Sequence, residues 1–131
     1  MPERLVPQFI ERLHNRDPGW EEFVHPEAEF SLLPFHGETV RGREAIARRL
    51  NSWKLKFYRP RVLDLWRLDD STVLVKGTAV YPLAGHGQAA GQAFWLDQIR
   101  DGLVWRVRGF TSERAARAAY ARTQGEDPGR D

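Results

Sequence analysis

The dipeptide Asp101-Gly102 stands between two stretches of alternating side-chain character, Phe94 to Arg100 and Leu103 to Phe110. Both turn residues tolerate positive φ, so together they specify a tight two-residue turn and an antiparallel hairpin. Residues directly opposite one another in such a pair share a side of the sheet. With an unbroken ladder, Leu96 opposes Val107, Gln98 opposes Trp105, and Phe94 lies beside Gly109 on one face. Trp95, Asp97, Arg106 and Arg108 then occupy the other. Continuing the ladder through the turn Ala84-Gly85-His86-Gly87 sets Phe94 against Gly77, Leu96 against Val75 and Gln92 against Ala79, with Tyr81 next to Ala90. A further turn at Asp69-Asp70-Ser71, taken as tight, adds Val62, Asp64 and Trp66 to the first face, with Asp64 beside Val75. The period-two pattern from Arg59 onward predicts three long strands with one continuous apolar face, interrupted only by Gln92, Gln98 and Tyr81.

Upstream the period lengthens. Leu5, Phe9, Ile10 and Leu13 fall at helical spacing, and Pro7 fits there only within a first turn. Asp17-Pro18 has a carboxylate placed to cap free N–H groups and a proline at the first helical position, so a second, short helix follows with Trp20, Phe23 and Val24. Ala28 to Leu33 reads as a strand, Pro34 interrupts it, and a short extended piece runs to Gly42. Ile46, Leu50, Trp53 and Phe57 mark one face of a third helix, and Ser112 caps a last short helix containing Ala115, Ala116, Ala119 and Tyr120. Residues 1–123 thus form one domain, and the polar residues 124–131 a loose tail. The apolar stripes of the first and third helices and the apolar face of the sheet bury each other. The opposite sheet face, with Lys76, Thr78, Trp95, Asp97, Arg106 and Arg108, fits a self-complementary homodimer surface.

Charge and composition exclude several roles. The 131 residues carry 20 basic and 18 acidic side chains with the signs interspersed, which argues against nucleic acid as a partner. Arginine dominates lysine but forms no stripe along the sequence. With no cysteine, neither disulfides nor thiolate chemistry is available. No apolar run approaches the length that spans a bilayer, so a soluble, cytoplasmic protein without membrane contact is expected. The glycines form neither a dinucleotide fingerprint nor a phosphate loop, and no histidine pair has metal-binding helical spacing; no cofactor and no metal are expected.

Three stretches, HPEAEF at 25–30, VRGREAI at 40–46 and DGLVWRVRGF at 101–110, come in an order and spacing that resemble the NTF2-like superfamily, in particular its SnoaL-like branch. The resemblance covers nearly the whole chain. It implies an α+β fold in which a strongly curved antiparallel or mixed sheet wraps round three N-terminal and central helices to make a cone-shaped apolar pocket, commonly in a homodimer. It does not imply one chemistry. In the ketosteroid isomerase branch a catalytic Asp precedes a proline upstream of the third helix, and a Tyr on the first helix and an acid on the penultimate strand donate hydrogen bonds to the developing enolate. Here Leu33 precedes Pro34, and the matched positions are Phe9 and Leu96. Polyketide cyclases of the SnoaL type use an Asp on the last strand, where this chain has Gly109, Phe110 and Thr111.

Candidate site residues follow from these assignments. Asp64 in an apolar pocket would have its pKa raised and could act as general acid or base. His36 and Glu38, two apart on a short strand and so on one side, could share a proton, contact a ligand entering the pocket mouth, or keep an exposed edge strand polar. His25 before Pro26 suits a structural hydrogen bond, and His86 a solvent-exposed turn. The rings of Phe9, Trp20, Phe30, Trp53, Phe57, Tyr58, Trp66, Phe94 and Trp105, with Val75, Leu96 and Val107, line the expected pocket, and Tyr58, Tyr81, Gln92 and Gln98 are its sparse polar points. Three functions fit: binding of a small apolar molecule in a dimeric cone; an isomerase, cyclase or epoxide-hydrolase type of enzyme using a pocket carboxylate; or an association module whose core is filled by its own tryptophans.

Overall fold

The computed structural model describes residues 2–35, 37–52, 55, 58–82 and 88–126, of which 80–82, 88–90 and 124–126 by their backbone alone. Helix α1 (Pro2–His14) buries Phe9, Ile10 and Leu13 as their spacing predicts, with Val6 buried in place of the expected Leu5, which is only partly covered. Pro7 lies beyond the first turn of that helix, where its missing N–H costs one intrahelical bond. A 3₁₀ turn (Pro18–Phe23) is capped by Asp17, whose carboxylate accepts from the Gly19 N–H at 2.9 Å.

Strand β1 (Val24–Ser31) begins four residues before the expected Ala28. After a second 3₁₀ turn (Leu33–Phe35), strand β2 (Val40–Arg41) leads into helix α2 (Arg43–Leu50) through Gly42. Gly42 has φ +91°, which an L side chain adopts only under strain.

The period-two region forms four strands, one more than expected: β3 (Arg61–Asp69), β4 (Thr72–Pro82), β5 (Gln88–Arg100) and β6 (Leu103–Phe110). Asp101 and Gly102 both have positive φ, 55° and 76°, as a hairpin turn of the mirror-image type requires. Helix α3 (Glu113–Glu126) follows, reaching three residues into the segment expected as tail.

The six strands form one mixed sheet in the order β2-β1-β6-β5-β4-β3, with β1 parallel to β6 and every other pair antiparallel. Register shifts interrupt the β1–β6, β3–β4 and β5–β6 ladders. Each such bulge bends its strand and increases the local twist, curving the sheet around α1. The larger core lies inside that curve and joins α1, α2 and β1 to Val73, Val75, Ala79, Ala93, Trp95, Val104 and Val107. A smaller one lies outside, where Ala116 and Ala119 of α3 pack on Leu74, Phe94 and Leu96.

Those two cores correct the expected faces. The Asp101-Gly102 turn pairs Arg100 with Leu103 and Ile99 with Val104 as a tight hairpin should, but the bulge beyond Ile99 then moves every later pair by one. Leu96 opposes Arg108 instead of Val107, Asp97 opposes Val107, and Gln98 opposes Arg106. The β4–β5 ladder is also one residue from expectation, with Phe94 opposite Lys76, Leu96 opposite Leu74 and Gln92 opposite Thr78. Because side chains alternate, one step exchanges the faces. Trp95 and Asp97 therefore point into the cone, whereas Gln92, Phe94, Leu96 and Gln98 point out.

Candidate functional site

Inside the cone a cavity of about 20 Å³ is lined by Phe9, Ile10 and Leu13 of α1, Phe30 and Leu32, Tyr58 and Pro60, Trp95 and Asp97 of β5, and Val107 of β6. The rings of Phe9 and Phe30 meet edge to face at 6.0 Å, and Trp20 backs Phe9 at 6.4 Å. Gly77 on β4, opposite Ala93, leaves room for the Trp95 ring: a Cβ there would run into that ring and into the Arg61 carbonyl. A surface groove of about 420 Å³ between α1 and the start of β3 shares Ile10 and Pro60 with the cavity.

Two polar side chains reach this apolar interior. Asp97 is fully buried, and neither carboxylate oxygen has a hydrogen-bond partner among the described residues. Desolvation disfavours its charged form and pushes its pKa up to about 8, so the carboxyl is mostly protonated at neutral pH. Tyr58 is 2% exposed. Burial first, and the charge of Asp97 second, hold its hydroxyl above the usual tyrosine range, while a hydrogen bond with Trp95 works the other way.

Tyr58 is set in place by local contacts. Its N–H donates to the Leu55 carbonyl at 2.9 Å. The Arg16 guanidinium donates to the carbonyls of Leu50 at 2.6 Å and Leu55 at 3.0 Å, clasping the end of α2 to α1. The arrangement thus puts two side chains able to donate an O–H, Tyr58 and protonated Asp97, in the lining of one mostly apolar cavity, a setting in which hydrogen bonds to an oxygen of a bound molecule are stronger than in water.

Among the expected pocket residues, Phe9, Phe30, Tyr58 and Val107 line the cavity, and Trp20 and Val75 are buried in the core around it. The others go elsewhere. Phe94 and Leu96 are buried under α3, Trp66 packs beside them beneath Arg117, and Gln92 is exposed. Gln98 and Trp105 line a groove on the outer face. Asp64 is an exposed outer-face residue opposite Lys76, its carboxylate accepting from the Leu65 N–H at 2.8 Å, because a bulge after Val62 turns it away from the interior.

Glu38 is exposed and forms a bidentate pair with Arg49 of α2 at 2.9 and 3.1 Å, which lowers its pKa and keeps it ionised. His25 is buried, its Nδ1 accepting from the Glu27 N–H at 3.0 Å while Nε2 meets Asp101 at 3.1 Å. With Nδ1 accepting, the proton sits on Nε2 and donates to Asp101, which ties the hairpin turn to β1. His36, Trp53, Phe57, His86 and the side chain of Tyr81 lie outside the described residues.

Of the six residues expected on an outer dimer face, Lys76, Thr78, Arg106 and Arg108 remain partly exposed on the outside, while Trp95 and Asp97 line the interior. The sequence reading missed Ile10, Leu13, Leu32, Pro60, Trp95 and Asp97 as cavity residues. For Asp97 the available signal was an acid on the penultimate strand, one residue from the position matched to it. Among the described residues no helix is long and apolar enough to cross a membrane, and no three His, Asp or Glu side chains cluster as metal ligands.

No family model matches this sequence, and no curated protein matches it in sequence either. Its structure does have counterparts. TerC, crystallised with polyporic acid, is similar over 89% of this chain and 95% of its own at TM-score 0.69 and 18% identity. An NTF2-like protein of unknown function from Burkholderia pseudomallei aligns over 88% of this chain and 93% of its own at TM-score 0.64 and 15% identity. A protein with a ketosteroid isomerase-like fold from Catenulispora acidiphila, in complex with trimethylamine, aligns over 86% and 88% at TM-score 0.64 and 14% identity. The chain has the NTF2-like fold, a single α+β domain with a mixed six-stranded sheet and three α-helices among the described residues.

Proposed function

We propose that the cone interior binds a small, largely apolar molecule that carries a carbonyl or hydroxyl oxygen, with Asp97 and Tyr58 holding that oxygen. The observation that carries the reading is the pair of partnerless carboxylate oxygens of a fully buried Asp97, facing the same cavity as Tyr58. A buried polar group without a partner costs on the order of 1–3 kcal/mol, which a bound oxygen would offset. The cavity in this conformation has room for about one water molecule. A larger ligand enters from the groove that shares Ile10 and Pro60, by parting α1 from the start of β3. Support also comes from TerC with polyporic acid and from the Catenulispora protein with trimethylamine, small molecules found with proteins of this fold.

The pKa of Asp97 favours a second reading, cofactor-independent proton transfer. Near pH 8 half of the Asp97 population is ionised. Such a carboxylate takes a proton from a carbon beside a carbonyl, Tyr58 donates its hydrogen bond to the enolate oxygen, and Asp97 returns the proton to another carbon. That balance is an isomerisation and requires no second acid or base.

Native mass spectrometry of gently purified protein, alone and after incubation with apolar aromatic ketones and phenols, tests the binding reading. A retained compound is expected, and Tyr58→Phe should weaken its affinity roughly 2- to 10-fold, the worth of one neutral hydrogen bond. Failure to retain any compound, with melting temperature unmoved, would shift the assignment to an association module with a filled core. Deuterium uptake from D₂O into a retained ketone tests the catalytic reading, which an equal rate in Asp97→Asn would refute.

A further inference from the structure

A second depression, of about 630 Å³, lies on the other side of the sheet, between β5, β6 and α3, and its wall is basic. Arg100, Arg106 and Arg108 come to it from the β5–β6 hairpin and Arg122 from α3, 22 positions along the chain from Arg100. None of the four forms an ion pair among the described residues. Glu29, which neighbours Arg106 across the β1–β6 ladder, is paired instead with Arg41 at 4.0 Å. Arg100 lies over the ring of Trp105 at 4.2 Å, which fixes one edge of the depression.

The floor is unsatisfied. Nε and Nη2 of Arg108 are buried without a hydrogen-bond partner; Oε1 of Gln98, in the same depression, is an unpartnered acceptor that a protonated group of the ligand, and not the anionic oxygens, would satisfy. Burial, and the charges of Arg106 and Arg122, push the Arg108 pKa down to about 10, so the guanidinium stays charged at neutral pH. A cation with two buried, unpaired N–H groups among like charges is costly unless an anion answers it. Nε and Nη2 lie on one edge of the guanidinium plane, the edge that binds two oxygens of a phosphate or carboxylate in parallel.

We infer that this depression is a site for a small oxyanion, a phosphate or carboxylate group of a free small molecule, held bidentately by Arg108 and screened by Arg106 and Arg122. Its flank against α3 confines one side of the ligand, and the interspersed charge of the rest of the chain provides no track for a nucleic-acid backbone. The site lies on the opposite face of the sheet from Asp97 and stands independently of the interior cavity.

Thermal melting of the full chain in inorganic phosphate, in citrate and in chloride at matched ionic strength tests the assignment. At about ten times the dissociation constant, the preferred oxyanion should raise the melting temperature by roughly 5 °C over chloride. The ranking of phosphate against citrate tells a tetrahedral from a planar ligand group. Arg108→Gln should abolish the response, and Arg122→Ala, an exposed change on α3, should reduce it several-fold even if the first variant folds poorly. Tyr58→Phe should leave it unchanged. Equal stabilisation by chloride, or a full response in Arg122→Ala and Arg108→Gln, would overturn the site. So would a dimer by light scattering that shows no oxyanion response, since a partner's carboxylate would then hold the guanidinium.

Discussion

Replacing Asp97 by asparagine should change how stability depends on pH more than stability itself at any one acidic pH. In the folded protein burial pushes this carboxyl from 3.8 up to about 8. Between those values the unfolded chain has released a proton that the folded protein keeps. The folded state binds more protons, so its stability falls as pH rises through that window and levels off above about pH 8. One such group gives a slope of about 1.4 kcal/mol per pH unit. From pH 5 to 7 the loss is about 3 kcal/mol, a sizeable share of the ~5–15 kcal/mol by which small domains are stable. The substituted amide carries no proton to lose, and it is close in shape to the protonated carboxyl. Urea unfolding followed by tryptophan fluorescence at pH 5, 6, 7 and 8 should therefore show the wild-type curve converging on, or crossing below, that of Asp97→Asn as pH rises. Contributions from the carboxyls held low, Glu38 and Asp69, cancel in the difference between the two proteins. Parallel pH profiles for the two proteins would refute the reasoning, because they would mean that Asp97 titrates alike in the folded and unfolded states.

Gly77→Ala should destabilise by ~1–3 kcal/mol, since the added Cβ meets the Arg61 carbonyl and the Trp95 ring, and neither moves without disturbing β3 or the cavity wall. A thermal melt reads the loss, and weaker retention of a cavity ligand should accompany it. His25→Ala should cost ~1–3 kcal/mol by leaving the Glu27 N–H without its acceptor and freeing the turn at Asp101, with faster hydrogen exchange at residues 100–103 as the local signature. Unchanged exchange there would show that the imidazole does not hold the turn.

The part of this fold that was legible in the sequence rests on short-range rules. The α1 stripe at Phe9, Ile10 and Leu13, the cap at Asp17, the glycine before α2 and the turn at Asp101-Gly102 each depend on neighbouring residues alone. All appear in the structure as their spacing predicts. So do the mixed, curved sheet and the apolar interior, which the resemblance to NTF2-like proteins implied.

Which face each strand residue occupies was another matter. Alternation along a strand has two settings, and nothing near Trp105 announces that a residue is to be spent there as a bulge. That bulge answers to the curvature needed to wrap the sheet round α1, a requirement of the whole assembly. Its effect was to exchange Leu96 for Asp97 inside the cone, and with it an apolar wall for a buried acid. The basic depression arose in the same way, because only the docking of α3 on β5 and β6 brings Arg122 to Arg108. Local preference determined the elements, whereas the two candidate sites were decided by register and by the packing of elements distant in sequence, which no local pattern encodes.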